Sequence, residues 1–398
     1  MNKVQLKKLI KLFVLGIFVF SLLMILVYCI PDAAVYENTA LSIGDIYGEG
    51  EYPTCFMGSE AFMLDNFTDR ITLDMNIQDT SVTNPIYGAF YNNNYPRYWH
   101  GRQIILRPLL CFFNFHQIRY INIFVMMFLF LYVLNLLNKN YGIKTAMVFA
   151  AVILSSAFII VPFSMQFSSM FLVMFCSIIC LCKLKENNKL TFDNSVLLFA
   201  VTGMLTNFLD LLTTPLITLG IPLVLYVAST NKEFKTLFKE TVILIIVWFL
   251  FYGFTWGAKW ILSSIILEEN IILDAFKQMK YRSDLIVDDT NISYLEVLGK
   301  QIKYYCYPLG KTIFAMKYIF LLATILPEFI KAKYTKSTFK LTAIYLIIFV
   351  LPFVWYFVLG NHSAVHYWFT YRTLSVSDFA LLMSLIAITK QNKIIDNV

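Results

Sequence analysis

The stretch LFVLGIFVFSLLMILVYCI, Leu12 to Ile30, contains no charged residue. It is about as long as the roughly 20 apolar residues a helix needs to cross the hydrocarbon core of a bilayer. Lys3, Lys7, Lys8 and Lys11 precede it, so the chain opens like a signal peptide. The run is long for that role and lacks a small-residue cleavage site, so it reads as an uncleaved first span.

The same pattern recurs outward from this stretch. Apolar runs predict ten spans, at roughly 11–31, 118–137, 144–161, 164–182, 194–211, 213–229, 241–262, 308–328, 340–359 and 373–389. Each holds about 16–22 residues, enough for a core of about 30 Å at a rise of 1.5 Å per residue. Pro162 and Ser164-Met165-Gln166 mark the turn between the third and fourth spans, and Leu211 to Pro215 the turn between the fifth and sixth. Composition agrees. Of 398 residues, 59% are hydrophobic and 14% charged, whereas a soluble domain is about half apolar and a quarter charged. This excludes a soluble enzyme, a disordered chain and a nucleic-acid binder. The expectation is an all-α integral membrane protein, 1–398 forming a single polytopic domain. The excess of Ile, Phe, Asn and Lys suggests an AT-rich bacterial genome, and hence a bacterial cell membrane.

Orientation follows the lysines. With the N-terminus inside, the inner segments carry Lys3, Lys7, Lys8, Lys11, Lys139, Lys144, Lys183, Lys185, Lys189, Lys232, Lys235, Lys239, Lys331, Lys333, Lys336, Lys340, Lys390 and Lys393. That is 18 of the 32 basic residues on short segments, as the positive-inside rule requires. The net charge of +7 then reflects stop-transfer lysines. Ten spans return the C-terminus to the cytoplasm. The outer face holds two long loops, about 32–117 and 263–307, and a short link, about 360–372. Leu64, Phe67, Ile71 and Met75 recur at helical spacing, as do Ile272, Ala275, Phe276 and Met279. Ile104 to Phe113, interrupted by Pro108, is a third such stretch. These predict amphipathic interfacial helices, apolar face toward lipid or the bundle.

Residue types sort by side. All seven arginines, Arg70, Arg97, Arg102, Arg107, Arg119, Arg282 and Arg372, fall on the outer side, as do His100, His116, His362 and His366. Arginine grips phosphate or carboxylate in a planar fork, whereas lysine acts as a point charge. Codon bias would raise Lys over Arg but would not sort by side, so the outer face is expected to bind an anion. Acidic residues also gather there: Asp32, Glu37, Asp45, Glu49, Glu51, Glu60, Asp65, Asp69, Asp74 and Asp79 lie in the first loop. Asp65 and Asp69 are four apart and share a helical face opposite Leu64, Phe67 and Ile71. Such a pair deprotonates an acceptor hydroxyl or holds a divalent cation such as Mg or Mn; the plainer alternative is a solvated polar face.

Two further clusters combine charge with aromatic rings. Tyr95 to Arg102, then Arg107-Pro108-Leu109, brings three arginines and His100 just before the second span. An aromatic belt explains its Tyr and Trp well and its charges poorly. Asn361 to Arg372 joins the last two spans and places His362 and His366 four apart. That spacing suits a metal, but no third ligand is adjacent, and hydrogen bonding to phosphate or sugar hydroxyls fits better. The cysteines, Cys29, Cys55, Cys111, Cys176, Cys180, Cys182 and Cys306, show neither zinc spacing nor a disulfide framework. Asp210 ends the fifth span at the level of the clusters, where a carboxylate faces a cavity or a partner or simply terminates the helix. Asp378, inside the tenth span, reads as a similar case or as the partner of a lysine, and Glu328 as structural.

This layout resembles the polytopic glycosyltransferases of the C-type fold, over spans one to seven and more loosely beyond. Leu64-Asp65-Asn66-Phe67-Thr68-Asp69, Tyr98-Trp99-His100-Gly101 and Asn361-His362-Ser363 through Arg372 are also similar to segments of uncharacterised Gram-positive membrane proteins. The resemblance implies transfer of a sugar from a polyprenyl-phosphate donor to a glycan, lipid or protein acceptor of the cell envelope. Asp65 or Asp69 would then be the base or metal ligand. His100, Arg102, Arg107, Arg119, Asp210, His362, His366 and Arg372 would hold phosphate or substrate. In the commonest pattern the key Asp follows the first span closely. Here about 35 residues intervene, and Asp45 or an outer Glu is an alternative. A polymerase or ligase acting on lipid-pyrophosphate glycans would use the same outer face. A flippase or transporter would be expected to show internal repeats and midplane charges, and neither is evident.

Overall fold

The structure, a computed structural model, describes residues 3–77, 84–230, 232–287, 289–308, 311–330 and 336–395. Asp79, Lys331 and Lys333 lie outside the described residues, as do the side chains of Glu328, Lys336, Lys390 and Lys393.

The chain is almost wholly helical. Helix α1 (Lys3–Tyr28) is the apolar run that opens the sequence. The loop after it folds into α2 (Asp32–Glu49), α3 (Asn66–Asp74), α4 (Pro85–Tyr91) and α5 (Gln103–Leu110). Helix α6 (Phe115–Tyr141) begins on a capping box. Asn114 accepts from the Gln117 amide, and the Gln117 side chain accepts from the Asn114 amide, both at 3.0 Å. Then come α7 (Ile143–Ser155), α8 (Met165–Glu186), α9 (Phe192–Leu209), α10 (Leu216–Ser229) and α11 (Phe234–Leu267). The second long loop holds α12 (Ile271–Ser283), an antiparallel pair β1 (Ile286–Val287) and β2 (Thr290–Asn291), and α13 (Tyr294–Cys306). The chain ends with α14 (Lys311–Ile330), α15 (Lys336–Val358), the short α16 (Gly360–Val365) and α17 (Tyr367–Thr370), and α18 (Ser375–Ile395).

Among the described residues, seven segments are long and apolar enough to cross a membrane: α1, α6, α8, α9, α11, the 338–358 part of α15, and Tyr367–Ile388. Their outward residues are large and apolar, among them Phe18 on α1, Phe124 and Phe128 on α6, and Ile261 and Ile265 on α11. Such a surface belongs in lipid and would aggregate in water. Helices α7 and α10 are apolar but only 13 and 14 residues long. At 1.5 Å per residue they reach about 20 Å, short of a 30 Å core. The expected span at 144–161 is therefore broken. Ala157 adopts φ +52°, and Phe158–Phe163 is a 3-10 turn containing Pro162. Helices α9 and α11 pack closely at Gly203, where a Cβ would stand 2.5 Å from the Trp248 carbonyl oxygen.

Two features of the first loop differ from the sequence reading. Helix α2 was not expected, because its buried stripe, Val35, Thr39, Ser42 and Ile46, is half polar and carries little hydrophobic periodicity. Around helix α3 the expected apolar stripe is buried only at its ends, Leu64 and Met75, while Phe67 and Ile71 are half-buried and the polar Asn66, Asp69 and Thr72 are buried with Leu73. The polar face points inward because its groups find partners there. The Gln103 side chain donates to the Thr72 carbonyl at 2.7 Å, and Asn66 bonds Glu49 and Gly50.

Candidate functional site

The seven arginines separate by partner. Arg70 pairs with Glu51 at 3.5 Å, Arg97 with Asp274 at 2.5 Å, Arg119 with Glu49 at 2.6 Å, and Arg107 with Asp32. Arg119 also donates to the Phe163 carbonyl and to Asn66, and Arg107 donates to the Ile30 carbonyl, so both tie loop helices to the bundle. Arg372 is fully buried and gives its nitrogens to the carbonyls of Ser156, Trp368 and Ala61 at 3.0, 3.2 and 3.4 Å. Arg282 donates to a histidine ring. Arg102 alone has no hydrogen-bond partner on any guanidinium nitrogen among the described residues, although it is 1% exposed.

Arg102 is held by its neighbours' backbone. The Gly101 amide donates to the Phe208 carbonyl at 2.9 Å, and a Cβ at Gly101 would lie 2.4 Å from the Phe208 ring. Only glycine allows this approach of the loop to the end of α9. The Trp99 indole donates to the Thr255 carbonyl at 2.9 Å and locks the other side. Arg102 thereby heads α5 in the field of three buried carboxylates, Asp69, Asp65 and Asp210. Burial acts to lower its pKa and these carboxylates oppose that.

Arg102 is among the residues lining a cavity of about 130 Å³ among α5, α6, α8 and α9. Leu109, Ile121, Val125, Leu172 and Leu209 supply apolar walls. The three carboxylates act on this cation through space but do not bond it, so its buried N–H donors stay unpaired at a cost of about 1–3 kcal/mol each, which the oxygen acceptors of a ligand would recover.

The solvated-face reading of Asp65 and Asp69 does not hold, since they are 3% and 1% exposed. Asp65 caps α3, accepting from the Thr68 amide at 3.0 Å and the Thr68 hydroxyl at 2.9 Å. Burial pushes its carboxyl up to about 6. Asp69 reaches the N-terminus of α8, where the Met165 and Gln166 amides donate at 3.2 and 3.3 Å. Burial raises its pKa while Arg102 and Arg119 oppose the rise. Asp210 accepts from the Thr213 amide at 2.8 Å, and burial pushes it up to about 6. Among the described residues no group of three His, Cys, Asp or Glu is placed to hold a metal ion. The oxygens of Asp65 and Asp69 accept from O–H and N–H donors.

His116 is half exposed, 3.7 Å from Glu49, and stands apart from the other three histidines, which are held neutral by burial. His100 takes φ +52°, is buried, and donates from Nε2 to the Tyr95 carbonyl at 3.0 Å, leaving Nδ1 as an unpartnered acceptor. His362 donates from Nε2 to the Leu212 carbonyl and accepts from Arg282 on Nδ1, each at 2.8 Å. Burial lowers the pKa of both rings well below the ordinary value, and that of His366 to about 4. Asp378 is paired with Lys317 at 2.6 Å and accepts from Tyr305 and Tyr318. The Arg282–His362 contact had no sequence signal, because the two stand 80 positions apart.

The fold and this cluster define an all-α membrane protein with a buried, arginine-bearing polar centre where the loop helices meet the bundle. The chain matches no protein-family model, and no curated protein or solved structure matches it.

Proposed function

We propose that the chain is a bacterial membrane glycosyltransferase that moves a sugar from a polyprenyl-phosphate donor to a cell-envelope acceptor at the outer leaflet. In this reading α7, α10 and α14 complete ten crossings of C-type arrangement, and both termini are cytoplasmic. The observation that carries it is Arg102, a buried guanidinium without a bonded partner at a cavity with apolar walls. The donor phosphate takes up the Arg102 donors, and the polyprenyl chain lies along Ile121, Val125 and Leu172.

The chemistry is an inverting displacement. The acceptor hydroxyl oxygen attacks the anomeric carbon, and the bond from that carbon to the phosphate oxygen breaks. The electron pair leaves on the phosphate, whose growing charge Arg102 stabilises. The hydroxyl proton passes to a carboxylate, Asp65 or Asp69. Asp65, with its pKa near 6, is poised closer to neutrality for that transfer.

The test is transfer of label from radiolabelled polyprenyl-phosphate sugars into a cell-envelope extract by the protein in lipid. Transfer by wild type that is lost in Arg102→Gln supports the reading. Undiminished transfer in Arg102→Gln, and in the Asp65→Asn/Asp69→Asn double variant, would sink it.

A further inference from the structure

A second cavity, of about 260 Å³, lies between α11, α12 and α15. Arg282, Gln278, Trp256, Trp260, Gly253 and Val358 are on its wall. Two observations give it a chemistry. First, Arg282 has no carboxylate partner: it forms no ion pair among the described residues, and unlike Arg372, whose nitrogens are taken by three backbone carbonyls, its bonded partner is the ring of His362, held neutral by burial. The His362 ring, fixed on the Leu212 carbonyl, aims the guanidinium without cancelling its charge. Second, most of the remaining wall is apolar or aromatic, Gln278, Ser283 and Arg97 being its other polar members. The indole N–H groups of Trp256 and Trp260 both turn to the Arg97 carbonyl, at 3.2 and 3.0 Å, and Arg97 is neutralised by Asp274. Gly253 is exposed, and a Cβ there would meet nothing within 4 Å. Gly253 and Val358 belong to helices long enough to cross the membrane, so the cavity is reached from lipid.

We propose that this cavity is a second lipid site, taking a lipid with a phosphate headgroup: phosphate on Arg282, chain between α11 and α15. A free phosphate would leave the apolar wall unused, and an uncharged lipid would leave Arg282 uncompensated. The site is back to back with the Arg102 cavity. Tyr98 and Leu212 line one, Arg102 and Leu209 the other, so the turns 98–102 and 209–212 separate them. If the transferase reading above holds, on which this last step rests, the acceptor is a phosphate-bearing lipid that meets the donor across those turns.

Native mass spectrometry of the full chain in detergent, titrated with dioleoyl phosphatidate, tests the site. Dioleoylglycerol and inorganic phosphate are the separate arms. Wild type should bind phosphatidate at least tenfold more tightly than dioleoylglycerol, and inorganic phosphate at millimolar excess should not displace it. Arg282→Gln should weaken one binding event about tenfold. Gly253→Leu, which fills the cavity without touching a charge or a backbone contact, should do the same. Full retention of binding in both variants overturns the proposal, as does displacement by inorganic phosphate or equal binding of dioleoylglycerol. A binding event lost in Arg102→Gln but kept in the other two reports the donor cavity instead. Failure of sugar transfer with the Arg282 binding event intact counts against the transferase reading alone.

Discussion

The Gly101 amide lies 2.9 Å from the Phe208 carbonyl oxygen, and that bond brings the loop before α5 onto the end of α9. Arg102 stands one residue beyond Gly101 and Asp210 two beyond Phe208, both buried. The polar centre is therefore set by a contact in which a side chain has no room.

Gly101→Ala is expected to lower stability by about 2 kcal/mol, since the added Cβ overlaps the Phe208 ring and its carbonyl oxygen. A thermal unfolding curve in detergent measures it. An unchanged midpoint would mean that the loop can back away from α9.

Arg102→Gln and Arg119→Gln should part company. Arg119 holds Glu49, Asn66 and the Phe163 carbonyl, so its loss strands a partly buried carboxylate and should cost about 3 kcal/mol. Arg102 makes no direct bond, so its loss should leave the melting midpoint much closer to wild type while transfer falls about 100-fold. Equal losses of stability in the two variants would make Arg102 a strut like the others.

The carboxyls of Asp65 and Asp210 are raised to about 6. A base must be ionised, so transfer should fall as pH drops through about 6. Stability runs the other way. A folded-state pKa above the unfolded one favours folding when the group is protonated, and that contribution is lost as pH rises from about 4 through about 6. Asp65→Asn should flatten this fall, as read from unfolding midpoints between pH 4.5 and 7.5. A slope identical to wild type would show that Asp65 titrates normally.

Asp69 caps α8 from another segment of the chain. Asp69→Asn keeps one acceptor oxygen and should cost about 1 kcal/mol, with Asp69→Ala costing more. If stability is kept in the Asn variant but transfer is lost, Asp69 is the base; if both variants transfer normally, its role is the cap. Thermal midpoints and the label assay on the same preparations separate these outcomes.

Much of the fold was legible because hydropathy is a property of consecutive residues. The first span, the short loops and the helical stretches at Asn66–Asp74 and Ile271–Ser283 all have local signals. Helix α2 had none, since half of its buried stripe is Thr and Ser. The break at Ala157 was hidden because a left-handed backbone at an alanine follows from packing around it. The polar face of α3 looked like a surface because its partners, Glu49, Gln103, Met165 and Gln166, are scattered over the chain.

The sequence by itself determined that this is a membrane protein and that its arginines and histidines keep to the long loops, the 360–372 link and, for Arg119, the first residues of the second span. Both follow from composition and order along the chain. Which arginine is free was decided only by the tertiary structure. Arg119 meets Glu49 across 70 positions, Arg107 meets Asp32 across 75 and Arg97 meets Asp274 across 177. A charge is compensated by whatever stands within a few ångströms of it. That neighbourhood exists only after the helices have packed: it gave Arg372 three backbone carbonyls, gave Arg282 a histidine ring, and left Arg102 with no direct partner among the described residues.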